Sequence, residues 1–145
     1  MPTIQKDIIV QQELTKVFDL AQDYTARLQW DKYLRKAVLI DADKPTIGVS
    51  TYCESRKGVG MTAKYITFNR PTQTAMQMTK GPFIFKKFSG SWRFTAVDAQ
   101  HTKVIFRYNV ELKHVFKIFN PIIIQLLRTD LKNRLHYLKI YAEKL

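Results

Sequence analysis

Gly90-Ser91-Trp92-Arg93-Phe94 is followed, past Asp98-Ala99-Gln100-His101, by the alternating run from Thr102 to Leu112. Together they read as one hairpin, with arms Phe85 to Val97 and Thr102 to Lys113. Successive side chains of a strand point to opposite faces, so parity sorts the residues. Phe88, Gly90, Trp92, Phe94 and Ala96 share one face of the first arm, and Val104, Phe106, Tyr108, Val110 and Leu112 share one face of the second. Lys87, Ser89, Ser91, Arg93 and Thr95, with Lys103, Ile105, Arg107, Asn109 and Glu111, take the other. The apolar set must turn inward, and it needs a surface to cover it.

The segment Pro121 to Leu145 supplies that surface. Ile124, Leu127, Leu131, Leu135, Leu138, Ala142 and Leu145 step by three and four residues, which makes one apolar stripe on a helix. Arg128, Lys132, Lys139 and Lys144 fall away from the stripe. Asn120 as N-cap and Pro121 at the first helical position mark its start. Burying the large aliphatic members at roughly 1.5–3 kcal/mol each contributes about 10–15 kcal/mol before entropy is subtracted. The helix therefore belongs to the core.

Upstream, Thr3 to Gln11 reads as a strand, and Glu13 opens a helical pattern carrying Leu14, Val17, Phe18 and Ala21. Leu28, Trp30 and Tyr33 mark a second short helical or turn segment. Val38 to Ile40, Ile47 to Arg56, Met61 to Phe68 and Thr74 to Thr79 then read as strands, punctuated by Lys57-Gly58, Asn69-Arg70-Pro71-Thr72 and Gly81-Pro82. Val49, Thr51, Cys53, Met76 and Met78 point inward by parity, whereas Met61 to Phe68 is mixed on both faces. The order predicts an α+β chain: about seven antiparallel strands in a curved sheet around a long C-terminal helix, with two short helices after strand 1. Residues 1–145 make a single domain, since no linker or repeat interrupts them.

With 46% hydrophobic and 25% charged residues, the chain can bury a real core and stay in solution. The N-terminus lacks the apolar stretch of a secretory signal, so a cytoplasmic protein is expected. Cys53 is the only cysteine, which excludes an internal disulfide. The net charge of +12 is uneven: residues 1–43 sum to −1 and residues 44–145 to +13. Most basic residues are interleaved with apolar ones, as on the outer face of a sheet. That pattern admits an anionic membrane surface as a partner and disfavours nucleic acid. His101, His114 and His136 lack metal-ligand spacing, and no phosphate-binding or dinucleotide motif occurs, so neither metal nor cofactor is expected.

Four stretches resemble the SRPBCC superfamily. Val17-Phe18-Asp19-Leu20 with Asp23-Tyr24 and Trp30-Asp31 is similar to its early helical segment, and Gly48-Val49-Ser50-Thr51 to its glycine-led strand. Phe68-Asn69-Arg70-Pro71 resembles its strand-ending turn, and Gly90-Ser91-Trp92-Arg93-Phe94 with Asp98 and Thr102-Lys103-Val104 its Trp-containing hairpin. The resemblance implies the helix-grip fold shared by START lipid-transfer domains, the major birch-pollen allergen and polyketide cyclase/dehydrase-like proteins. It also implies an apolar cavity between sheet and last helix that holds lipids or other hydrophobic molecules. No universal catalytic residue comes with it, and none is assigned; Trp30 and Trp92 are expected to serve the architecture.

A ligand cavity is accordingly expected among Val49, Cys53, Met76 and Met78 on the middle strands. Phe88, Trp92, Phe94, Phe106 and Tyr108 would line it from the hairpin, and Leu127, Leu131 and Leu135 from the helix. Phe83, Phe85, Phe116 and Phe119, set among Lys80, Lys86 and Lys117, form the expected entrance. Tyr108 is the one polar group placed inside, bonded either to a ligand or to a backbone carbonyl. The leading reading is binding, or transport, of a hydrophobic or amphipathic small molecule such as a lipid. A cyclase/dehydrase-like enzyme would instead gather two or more titratable groups inside. A basic interaction module for anionic membrane or nucleic acid would have a filled core.

Overall fold

The hairpin forms as its parity requires in the computed structural model, which describes residues 2–145. β6 (Phe85–Asp98) pairs antiparallel with β7 (His101–Leu112), setting Trp92 opposite Phe106, Phe94 opposite Val104 and Gly90 opposite Tyr108. Around it lie β1 (Thr3–Val10), β2 (Leu34–Ile40), β3 (Ser50–Ser55), β4 (Gly60–Asn69) and β5 (Gln73–Lys80). They join one seven-stranded antiparallel sheet in the order β1-β7-β6-β5-β4-β3-β2. The first strand thus closes one edge beside the last, and register shifts in β2–β3, β4–β5 and β6–β7 help it curl. α1 (Leu14–Gln22) and α2 (Arg27–Trp30) follow β1, and α3 (Asn120–Ala142) ends the chain. This is an α+β helix-grip architecture.

α3 is gripped through Leu131, Leu135, Leu138 and Ala142, all buried, while Ile124 and Leu127 are half-buried against the core. The apolar stripe ends at Ala142: Leu145 lies beyond the last helical turn and is exposed. The expected cap is displaced as well. A 3-10 helix (His114–Phe119) runs directly into α3, so Phe119 holds the N-cap position, Asn120 is already helical, and no side chain caps the end. Ala96 is exposed, because β6 extends past the covered part of the sheet toward its turn. A larger departure is Arg134, which is buried on the face of α3 that the stripe reserves for aliphatic chains.

The helix does not sit centrally. It packs most closely on β1, with β7, α1 and α2 as its other neighbours. Ile4, Val104 and Phe94 fill this half of the sheet against Leu131, Leu135 and Leu138. Phe18 seals it by meeting Phe94 edge-on at 5.2 Å, and Trp30 meets Trp92 at 6.4 Å. The other half, β3 to β5, offers Thr51, Cys53, Ala63, Met76 and Met78, side chains too small or too soft to reach the helix. Space remains there. Among the described residues no helix is long and apolar enough to cross a membrane.

Candidate functional site

A cavity of about 370 Å³ occupies the unfilled half of the fold, a size typical of small-molecule sites. Met61, Met76, Met78, Phe85, Phe88 and Phe106 form its apolar walls. Gly90 contributes an open floor between Met76 and Tyr108, its neighbours across the sheet. Val59 and Leu126 line the cavity and are also exposed, which places its mouth between the β3–β4 turn and the first turns of α3.

The inner end is charged. Asp31, just past α2, is fully buried, and its Oδ2 accepts hydrogen bonds from Arg27 Nε (3.0 Å), Arg134 Nε (3.1 Å) and Arg134 Nη2 (2.9 Å). Arg27 reaches it from one helical turn earlier, and Arg134 from the buried face of α3, three residues past Leu131. Arg134 Nη1 also donates to the Tyr108 hydroxyl at 2.7 Å. Its guanidinium lies 5.0 Å from the Tyr33 ring centroid and 5.3 Å from that of Phe106, so aromatic faces flank the cation. Arg27, Tyr33, Tyr108, Asp130 and Arg134 all face the cavity.

Protonation follows from these contacts. Burial alone would push the Asp31 carboxyl up, but the charges and hydrogen bonds of Arg134 and Arg27 outweigh it and hold the group below the usual carboxylate range. Asp130 shifts the other way: half-burial raises it, and the attraction of Arg134 only partly offsets this. Tyr33 is pushed up to about 12, first by burial and then by the negative charge of Asp130. The Tyr108 hydroxyl is likewise raised by burial and stays protonated. Burial also raises the Cys53 thiol, which argues against a thiolate nucleophile. The two carboxyls on which Arg134 acts thus have opposed tendencies, one fixed as an anion and one inclined to hold a proton.

A family model described as "Polyketide cyclase / dehydrase and lipid transport" matches residues 1–143. This chain belongs to that family. Among solved structures, the Zhui aromatase/cyclase from Streptomyces sp. R1128 superposes with a TM-score of 0.86 at 11% identity, covering 99% of this chain and 94% of the other. A START superfamily protein from Mycobacterium smegmatis gives 0.84 at 14% identity, covering 98% and 97%. At such identities the likeness shows the fold alone. No curated protein matches the sequence.

In this member of the polyketide cyclase/dehydrase and lipid transport family, the structure gathers Cys53, Met76, Met78, Phe88, Phe106, Tyr108 and Leu127 around the cavity, with Phe85 beside them. Trp92, Phe94, Leu131 and Leu135 are instead packed into the filled half of the core, Trp92 stacked on Phe106 at 3.8 Å. Inward parity is not enough to reach a cavity when the helix sits directly above. Val49 precedes β3 and lies outside the lining, as do Phe83, Phe116 and Phe119. Phe83 meets Phe116 edge-on at 5.9 Å and carries the Lys113 ammonium 3.5 Å above its ring.

Tyr108 is not the single polar group inside, since it shares the inner end with two arginines, Asp130 and Tyr33. Its hydroxyl accepts from Arg134 rather than bonding a backbone carbonyl. One signal for this lay in the sequence: Arg134 falls within the helical stripe, three residues after Leu131 and one before Leu135. Asp31 gave no such signal, because its burial depends on a partner 103 residues away. The core is not filled, which removes the structural premise of a purely surface-acting basic module. Among the described residues no three His, Cys, Asp or Glu side chains gather as a metal site.

Proposed function

We propose that this protein binds an amphipathic small molecule, of lipid or aromatic character, in the cavity between β3–β5 and α3. The observation that carries the reading is a preformed apolar cavity with a charged inner end. Apolar walls reward burial of a hydrocarbon or aromatic body, and the polar groups at depth fix its orientation. The direct test is calorimetric titration with decanoate and decan-1-ol below their aggregation limits, in the wild type and in Ala63→Phe. Ala63 lines the cavity on β4, so the added ring occupies ligand space while removing no native contact. Micromolar binding that Ala63→Phe abolishes supports the proposal; an unchanged affinity in that folded variant sinks it.

The convergence of Asp130, Tyr33 and Arg134 supports a second reading, cyclase-type chemistry of the kind named for the Streptomyces aromatase/cyclase. A carboxylate with a raised pKa can accept a proton from an activated methylene, and a guanidinium can stabilise the enolate oxygen that results. Turnover of a poly-β-ketone thioester analogue, lost in Asp130→Asn, is the observation this reading requires.

Delivery from an anionic membrane fits the rim. Phe83, Val115, Ile118 and Ile122 are exposed on segments next in the chain to the lining residues Pro82, Ile84 and Ile123, and Lys80, Lys86, Lys113 and Lys117 lie among them. Apolar side chains ringed by lysines suit the interface of a negatively charged bilayer. Such a surface lets a ligand pass between membrane and cavity without crossing water.

A further inference from the structure

We propose that the Arg27–Arg134 end of the cavity binds the carboxylate of a hydrophobic monocarboxylic acid, whose chain then lies along Met76, Met78, Phe85 and Phe88. The assignment rests on the cavity reading above and adds the head group. It begins with charge. Two guanidiniums share one buried carboxylate, Asp31, so neither is matched by an ion-pair partner of its own. Asp130 lines the same end and feels the Arg134 charge, but it makes no ion pair or hydrogen bond with either arginine, so their free N–H groups stay unserved. A guanidinium in a low-dielectric wall gains most from an acceptor of opposite charge within hydrogen-bond reach.

Hydrogen bonding points the same way. Arg134 commits three of its five N–H groups, two to Asp31 and one to Tyr108. Arg27 commits Nε to Asp31 and Nη1 to the Ala21 carbonyl, and its Nη2 donates to no protein acceptor. Arg27 lines the cavity, where that nitrogen can meet a ligand. Tyr108 accepts from Arg134, which leaves its own O–H proton free to donate. Free donors therefore converge from three residues on two helices and a strand, and Asp130, the carboxylate beside them on the wall, forms no hydrogen bond with any of them. A carboxylate, an acceptor with two oxygens and no donor, fits this donor set. An ammonium brings only donors, and like charge, to a wall of guanidinium donors.

The test compares three ligands of one chain length: decanoate, decan-1-ol and decyltrimethylammonium, titrated calorimetrically below aggregation. Decanoate should bind about 10- to 100-fold more tightly than the alcohol, the range for hydrogen bonds to a charged group. The trimethylammonium compound should bind weakest. Arg134→Lys keeps the charge but cannot serve Asp31, Tyr108 and a ligand together, so it should erase most of the acid's advantage and leave the alcohol unaffected. Should Arg134→Lys fail to fold, the wild-type comparison decides alone. Equal affinity for acid and alcohol, both abolished by Ala63→Phe, would leave the cavity reading standing and overturn the carboxylate assignment. Decanoate binding that survives Ala63→Phe would place the acid on the basic exterior and overturn it too. Binding of none of the three would overturn both.

Discussion

Replacing Asp31 with asparagine tests the central claim that the inner end of the cavity is an ion cluster. The substitution keeps the side-chain size and removes one charge. In the wild type Oδ2 accepts three hydrogen bonds from two guanidiniums at 2.9–3.1 Å, with no solvent exposure at Asp31. An amide at that position leaves two arginines mutually repelling and turns one acceptor into a donor. Removing one partner of a buried ion pair costs about 3–5 kcal/mol. Both guanidiniums reach the cavity, where water can solvate them, so the expected loss lies near 3 kcal/mol. Urea unfolding should then show a midpoint lower by about 1–2 M, and heating a melting point lower by about 6–12 °C. The pH dependence has a definite sign. A carboxyl whose folded pKa lies below its unfolded value stabilises fully above the unfolded value, and this is lost as pH falls through the folded one. Wild type should therefore lose its lead over Asp31→Asn only on acidification below about pH 4. A neutral-pH difference under about 1 kcal/mol would refute the cluster as described.

The rim gives a prediction of another kind. Phe83 and Ile118 are 73% and 79% exposed, so Phe83→Asp and Ile118→Asp should leave stability within about 0.5 kcal/mol. Each should still reduce co-sedimentation with phosphatidylglycerol vesicles at least about tenfold; undiminished sedimentation would remove the membrane from the account. Asp130→Asn should behave opposite to Asp31→Asn. An acid with a raised folded pKa binds its proton more tightly in the native state, so the wild type loses stability as pH rises from the ordinary carboxylate value through the raised one. The asparagine variant should lack that decline and unfold no more easily at pH 7, which paired urea titrations at pH 4 and pH 7 would decide.

Much of the architecture could be read from residue spacing, because spacing is a local property. Alternation from Phe88 to Phe94 and from Val104 to Leu112 dictates which side of the hairpin is wet, and Leu131, Leu135 and Leu138 dictate which side of the helix is dry. Period-two and three-and-four patterns have few ways of burying each other, so an α+β sheet around a terminal helix followed. The mixed strand β4 could not be phased, since Met61, Ala63 and Tyr65 face inward beside half-buried Thr62 and Thr67 on the opposite side.

What tertiary structure alone decided is where the interior is solid and where it is hollow. Trp92 and Phe88 share one parity on one strand, yet Trp92 lies in the packed core and Phe88 lines the cavity. The difference arises because α3 leans on β1 and leaves β3 to β5 uncovered, a placement that no strand encodes by itself. The charged end was hidden for the same reason. Arg134 stands on the helical stripe, but the aspartate that lets it stay buried there is an ordinary residue near position 30 until the fold sets the two 2.9 Å apart. Local periodicity reports which face a side chain takes. Whether a charge on that face can stay buried depends on the partner that arrives from elsewhere in the chain, and that is a property of the folded molecule.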